Sequence, residues 1–357
     1  MAILWMNLII VFFTSYTSRY LSNNIAIAPT FIKPNKFLLF ISLVSLVIVS
    51  GLRNNIGDTY FYMHSYQIQN FNLNSIYFKG DFGFNILQGI LQSMSSDPQI
   101  LIFTTALITN TLIVLVLYKY SRMIDLSLYV YITAGLYTVS MNGIRQFLAA
   151  AILFCVTKYL LSGEFKKYLL VILLASTIHN SALIFIPMYF IVRREAWTRV
   201  TFLLLVLSIL IVLGFNEFSS FLFSTIKDTH YGQYSEFSEG GASVLRVIVN
   251  TVPVFIAFLG KEKLRQLWPK SDYIVNLSVI NLVFLIVSTQ NWIFARFTIY
   301  FSLYNLILIS WIVLLFKYNN RRFIYFSIFV CYLMFFYYEQ VISLNIQYKS
   351  DYIDINF

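Results

Sequence analysis

Apolar residues run in long blocks along this chain, and short polar segments punctuate them. Blocks at about 1–17, 37–51, 99–118, 127–141, 144–161, 198–215, 244–260, 273–289, 297–316 and 323–338 are almost free of charge. A bilayer core of ~30 Å takes roughly 20 mostly apolar helical residues. In lipid, backbone groups are satisfied only within helices or closed barrels, and these blocks are too long and continuous for barrel strands. The pattern predicts an all-α fold, a polytopic transmembrane helical bundle of about ten full spans. It reads as a single integral membrane domain over 1–357, with longer polar segments at 52–98 and 216–243.

One further block, 168–192, is basic at both ends, with Lys166-Lys167 before it and Arg193-Arg194 after it. Both ends therefore favour the cytoplasm, and a single crossing would leave one basic cluster outside. The expectation is a re-entrant or broken helix pair turning at Ile178-His179-Asn180-Ser181. Each arm would hold about 11 residues, or about 17 Å at the helical rise. His179 would sit at the tip. One helix with a tolerated charge violation is the alternative.

Charge orients the rest. With the N-terminus outside, 18 of the 25 basic residues fall on the cytoplasmic side. Only Arg53, Lys79, Arg145, Lys227, Arg246, Arg296 and Lys349 remain outside, while about ten of the 15 acids lie there. This asymmetry puts both termini and the segments 52–98 and 216–243 at the outer face. No Lys or Arg precedes Arg19, so the first helix lacks the positive leader of a cleaved signal.

Composition agrees. The chain is 59% hydrophobic and 11% charged, with mean hydropathy +0.74. Its net charge of +10 follows from cytoplasmic loops obeying the positive-inside rule, so no nucleic-acid partner is implied. Cys155 and Cys331 lie inside apolar blocks and read as small buried hydrophobes. No metal-ligand spacing, P-loop or dinucleotide fingerprint occurs, so neither metal nor other cofactor is expected.

Against that background Gly51 to Tyr66 stands out, with an Arg, an Asp, a His and three tyrosines packed into a short segment. Alone it is equally an interfacial anchor or part of a site for an anionic substrate. Four outward arginines, Arg53, Arg145, Arg246 and Arg296, lie at helix edges. A charge there is costly and usually faces the bundle interior. The planar guanidinium matches phosphate or carboxylate bidentately and stays protonated. Asn142 and Gln146 flank Arg145 with groups suited to a hydroxyl-rich ligand, and Tyr60, Tyr62 and Tyr66 can stack on sugar rings. By residue type His179 is the first candidate for a general base, with Asp58 and His230 next.

Five short motifs occur in order: Gly51-Leu52-Arg53 with Gly57-Asp58-Thr59-Tyr60, Asn142-Gly143-Ile144-Arg145-Gln146, Ile178-His179-Asn180-Ser181-Ala182, Ser243-Val244-Leu245-Arg246 and Ala295-Arg296-Phe297. The ordered set resembles the EpsG family of exopolysaccharide polymerases, Wzy-like membrane glycosyltransferases. The resemblance implies polymerisation of oligosaccharide repeat units carried on undecaprenyl diphosphate, at the outer face of a bacterial plasma membrane. It implies a lipid-linked oligosaccharide substrate, and as partners a flippase and a chain-length regulator of the same pathway. Carried over by position, Arg53, Arg145, Arg246 and Arg296 fall on the family's outward arginines and His179 on its histidine. Two other classes stay open at this stage: a transporter or flippase of an anionic lipid-linked glycan, and an outer-face ligase or acyltransferase.

Overall fold

The computed structural model describes residues 1–22, 33–69, 71, 80–225 and 240–353. His230, with Asp228, Glu236 and Glu239 of the same segment, lies outside the described residues. Helices build the whole of the described chain, and no strand occurs among the described residues. Two units can be separated, one formed by Met1–Tyr189 with Ile309–Phe357 and the other by Phe190–Leu308.

In the first unit, α1 (Ala2–Tyr20) packs on α2 (Lys36–Gly51) and on α6 (Ile124–Thr133). α2 starts where the Asn35 side chain accepts the N–H groups of Phe37 and Leu38 at 3.0 and 3.2 Å, an N-cap that satisfies two orphan donors. Two short helices follow, α3 (Thr59–Ile68) and α4 (Phe82–Met94). α5 (Gln99–Tyr120) packs on α2 and on α8 (Ile144–Cys155), which continues almost directly into α9 (Thr157–Ser162). Between α6 and α8 lies α7 (Leu136–Asn142), bent 55° from α6. α18 (Arg321–Phe336) covers α6, and an ionic knot ties three helices together at one end. Arg19 Nε sits 2.9 Å from Asp125 Oδ1, and the Tyr325 hydroxyl donates to Asp125 Oδ2 at 2.5 Å.

The block 168–192 folds into a hairpin. α10 (Phe165–Ile178) ends at His179, whose backbone is extended, and a 3₁₀ turn at Asn180–Ile184 leads into α11 (Phe185–Val192). The Tyr168 hydroxyl donates to the Phe185 carbonyl at 2.5 Å. Further along, Tyr189 packs its ring 4.9 Å from that of Phe165 and donates to the Gly163 carbonyl at 2.7 Å. The second arm thus returns to where the first began, and His179 stands at the apex.

In the second unit, α16 (Ser271–Val287) packs on α12 (Arg199–Leu213) and α14 (Val244–Leu259), and α13 (Phe215–Thr225) follows α12. α15 (Lys261–Leu267) bends 80° from α14, and Arg265 Nε on it pairs with Asp272 Oδ2 at 2.9 Å. α17 (Ile293–Ile312) closes the unit.

Large apolar side chains are exposed in rows, among them Leu170, Leu173 and Leu174 on α10 and Leu203, Val206, Leu207 and Leu210 on α12. Such continuous apolar surface suits lipid rather than water. The protein is a membrane protein, but the span count differs from the expectation of about ten. Among the described residues four helices are long and apolar enough to cross a bilayer: Gln99–Tyr120, Ile144–Ser162, Ile293–Leu315 and Tyr318–Ser343. Counting each bent pair as one span raises the number to six. The reason is length. Blocks such as Lys36–Gly51 and Arg199–Leu213 form helices of 16 and 15 residues, about 24 Å or less at 1.5 Å per residue against a core of ~30 Å.

Candidate functional site

The turn after α2 is assembled from residues far apart in the chain. Ile56 and Gly57 both take positive φ, 77° and 55°. A Cβ on Gly57 would lie 2.1 Å from Asn142 Oδ1, so only glycine lets the Asn142 side chain into this turn. That oxygen accepts the Asp58 N–H at 2.9 Å. Thr59 donates its hydroxyl to the Ile56 carbonyl at 2.7 Å and accepts from Arg53 Nε at 3.0 Å. The C-terminal segment straps the same turn: the Asn54 N–H donates to the Lys349 carbonyl at 3.1 Å, and the Lys349 N–H to Asn55 Oδ1 at 2.7 Å.

Arg53 lies inside this construction and is 1% exposed. Its Nη2 donates to the Met141 carbonyl at 2.6 Å and its Nη1 to the Ser50 carbonyl. Burial pushes its pKa down to about 10, which leaves it cationic at neutral pH. The guanidinium holds the end of α2 to the end of α7. Its donors face protein carbonyls and a hydroxyl.

Arg145 is placed differently. It opens α8, is only half-buried, and lines a cleft of about 460 Å³ between α3 and α4. Positions 58, 61, 62, 65 and 69 recur at helical spacing, which puts Asp58, Phe61, Tyr62, Ser65 and Gln69 on one face toward the cleft. Phe84, Asn85 and Gln88 line it from α4. The Arg145 guanidinium lies 5.6 Å from the Tyr62 ring centre and 5.9 Å from that of Phe84, two rings that meet edge-on 6.1 Å apart, and these contacts hold it against the aromatic pair.

Asp81, just before α4, joins Arg145 to the hairpin apex. Its Oδ2 is 3.3 Å from Arg145 Nη1 and 3.0 Å from His179 Nδ1, and its Oδ1 accepts the Asn180 N–H at 3.1 Å. Desolvation would raise this carboxyl. The hydrogen bond and charge of His179, the Asn180 N–H and Arg145 outweigh it and hold the group below the usual carboxylate range. An ionised Asp81 needs a proton on Nδ1, which leaves Nε2 as the basic nitrogen of a neutral His179. Close helix contact sets the geometry. A Cβ on Gly83 would lie 2.3 Å from Thr177 Oγ1, so the Thr177 side chain of α10 packs directly on the bare backbone of α4, beside the Asp81–His179 contact.

The structure therefore brings Asp58, Arg145 and His179 into one neighbourhood, with Asn142 as a tie beneath Asp58. Gln146 is buried on α8, at 8% exposure. Arg246 and Arg296 belong to the second unit. The Ala242 N–H donates to the Ser288 carbonyl at 2.8 Å, which sets the first turn of α14 beside the turn that leads to α17. Both arginines thus stand at one end of that unit, and the Arg296 guanidinium lies 4.4 Å from the Trp292 ring centre. Among the described residues no group of three or more His, Cys, Asp or Glu side chains could hold a metal ion.

Sequence reasoning missed Asp81, Asn85 and Gln88. Asp81 is separated from His179 by 98 positions, and no local pattern links the two. For the α4 pair a weak signal exists in the sequence, because Asn85 and Gln88 stand three positions apart, about one helical turn.

A family model, the EpsG family, matches residues 36–350, which is nearly the whole described chain. No curated protein and no solved structure matches.

Proposed function

The chain belongs to the EpsG family, and from that premise we propose that it polymerises oligosaccharide repeat units carried on undecaprenyl diphosphate, at the outer face of a bacterial plasma membrane. The family supports a polysaccharide-polymerase role in general. Support for the finer reading comes from one observation: an arginine, a carboxylate and a histidine joined within 3.3 Å at the end of an aromatic and carboxamide-lined cleft.

Arg145 binds the diphosphate of a lipid-linked glycan. The hydroxyl oxygen of the acceptor sugar attacks the anomeric carbon of the donor, and His179 Nε2 takes its proton. The bond from the anomeric carbon to the diphosphate oxygen breaks, and its electron pair leaves with the lipid diphosphate. Negative charge grows on that leaving group, and preorganised guanidinium donors stabilise it more in the transition state than in the ground state. Asp81 holds the His179 tautomer that this requires and stabilises the imidazolium that forms. Asp58, on the cleft wall, is the second candidate for the base. Arg53 serves by holding the turn that carries Asp58, and Arg246 and Arg296 are further substrate-binding arginines. The hairpin 168–192 is re-entrant, with both basic ends on the cytoplasmic side and His179 reached from outside.

Reconstitution in liposomes with a purified undecaprenyl-diphosphate oligosaccharide tests the reading. Chain lengthening with release of free undecaprenyl diphosphate is the expected result. Transfer of the substrate across the bilayer without lengthening rejects it in favour of a transporter.

A further inference from the structure

α4 carries two glutamines one helical turn apart, and they are used in opposite ways. Gln92 is fully engaged: its Nε2 donates to the Tyr66 and Gln69 carbonyls at 2.6 and 2.7 Å, and its Oε1 accepts the Phe71 N–H at 3.0 Å. It fastens the end of α3 to α4. Gln88 is 4% exposed and lines the cleft, yet its carboxamide has no hydrogen-bond partner among the described residues. The residue is buried as a whole, but its amide atoms open on the cleft, where water or a ligand can pair with them. What is left for Gln88 is whatever occupies the cleft.

The surrounding walls specify the chemistry of that occupant. Asn85 stands one residue from Phe84 on the same helix, so each carboxamide offers a donor and an acceptor beside an aromatic ring. Hydroxyl groups both donate and accept, and the C–H face of a pyranose stacks on such rings. Among the described residues Arg145 is the one cation lining the cleft, and Asp81 and Asp58 already oppose its charge. Among the described residues the carboxamide wall holds no second cation that could pair with a carboxylate. At about 460 Å³ the space falls within the range of small-ligand pockets, about 300–1,000 Å³.

We propose that the α3–α4 cleft is a subsite for a neutral, hydroxyl-rich sugar ring adjoining the anion held at Arg145, with Gln88 and Asn85 reading its hydroxyls. This rests on the assignment of Arg145 to the diphosphate and adds the class of sugar attached to it. A repeat unit with an uncharged sugar next to the lipid diphosphate fits the site. One with a uronic acid there does not.

Calorimetric titration of the full chain in nanodiscs tests this with farnesyl diphosphate, its glucosyl and galactosyl esters, and its glucuronyl ester. One of the two hexosyl probes is expected to bind about tenfold tighter than bare farnesyl diphosphate, the scale of one or two hydrogen bonds. The glucuronyl probe is expected to bind about tenfold weaker than that hexosyl probe. In Gln88→Leu the ratio of hexosyl to bare affinity falls to within about twofold of unity. Asn85 is exposed, so Asn85→Ala keeps the fold and reports even where Gln88→Leu does not fold; there the ratio falls about threefold. Hexosyl probes that gain nothing over bare farnesyl diphosphate, or a glucuronyl probe that binds tightest, overturn the subsite while leaving the diphosphate reading intact. Failure of bare farnesyl diphosphate alone defeats the assignment of Arg145. A hexosyl probe that still binds, and loses affinity in Gln88→Leu, then upholds the subsite. Failure of every probe overturns both.

Discussion

Arg53 and Arg145 look alike in the sequence, each at the edge of an apolar block and each followed within a few residues by amide or hydroxyl side chains. In the folded chain they are opposites. Arg53 is enclosed, 1% exposed, and its guanidinium bonds two backbone carbonyls and a hydroxyl. Arg145 lies against two aromatic rings, faces Asp81, and opens on a cleft. A buried cation whose three nitrogens each donate to a protein acceptor holds structure together. A half-exposed one, fixed by ring faces and a single carboxylate, keeps donors that an incoming anion can take. The difference lies in what surrounds the side chain.

Substitutions turn that contrast into measurements. Arg53→Ala leaves the Ser50 and Met141 carbonyls and the Thr59 hydroxyl without their donor, and is expected to cost about 3–5 kcal/mol of stability. Thermal unfolding in detergent checks this, and a variant as stable as the wild type would put Arg53 on the functional side of the contrast. Arg145→Lys keeps the charge and removes the fork, so unchanged unfolding with roughly 100-fold slower chain lengthening is expected. Wild-type turnover in this variant would argue against a bidentate phosphate contact.

Asp81→Asn keeps the shape and removes the charge that selects the His179 tautomer. Activity is expected to fall on the order of 10-fold or more, and the pH–rate profile to shift where a merely structural role would leave it in place. The smallest effect concerns pH. The folded chain holds Asp81 below its ordinary value of 3.8, so the unfolded chain binds the proton more readily. The stability that Asp81 contributes is therefore complete above about pH 4 and is lost as pH falls through its lowered folded pKa. The difference in unfolding temperature between wild type and Asp81→Asn should shrink as pH falls below about 4. A difference that instead grows on acidification would contradict the geometry.

Much of the fold was legible from the order of residues. Long uncharged blocks can only be helices in lipid, and the paired basic clusters around 168–192 asked for a break where His179 and the 3₁₀ turn stand. The span count was overestimated because a block of apolar residues says nothing of where its helix begins to bend or stop. One block, 127–141, is two helices bent by 55°. Residue type selects Arg145, His179 and Asp58, which the fold brings near one another, and by the same criterion it selects Arg53, which the fold encloses. Asn142 draws attention by its place beside Arg145, and in the fold its side chain fills the space that Gly57 leaves and accepts the Asp58 N–H. Asp81 was passed over, since the histidine it orients is 98 positions away.

The sequence by itself determined that this is a helical membrane protein and that the block 168–192 is interrupted near His179, because hydrophobicity, charge and helix spacing act between near neighbours. Only the tertiary structure decided which arginine is enclosed and which is open, which carboxylate meets the histidine, and which glutamine is left free. Burial and pairing belong to the packing of α2 on α5, α4 on α10 and the C-terminal strap on the turn after α2. Those contacts join residues tens to hundreds of positions apart, and no local pattern encodes them.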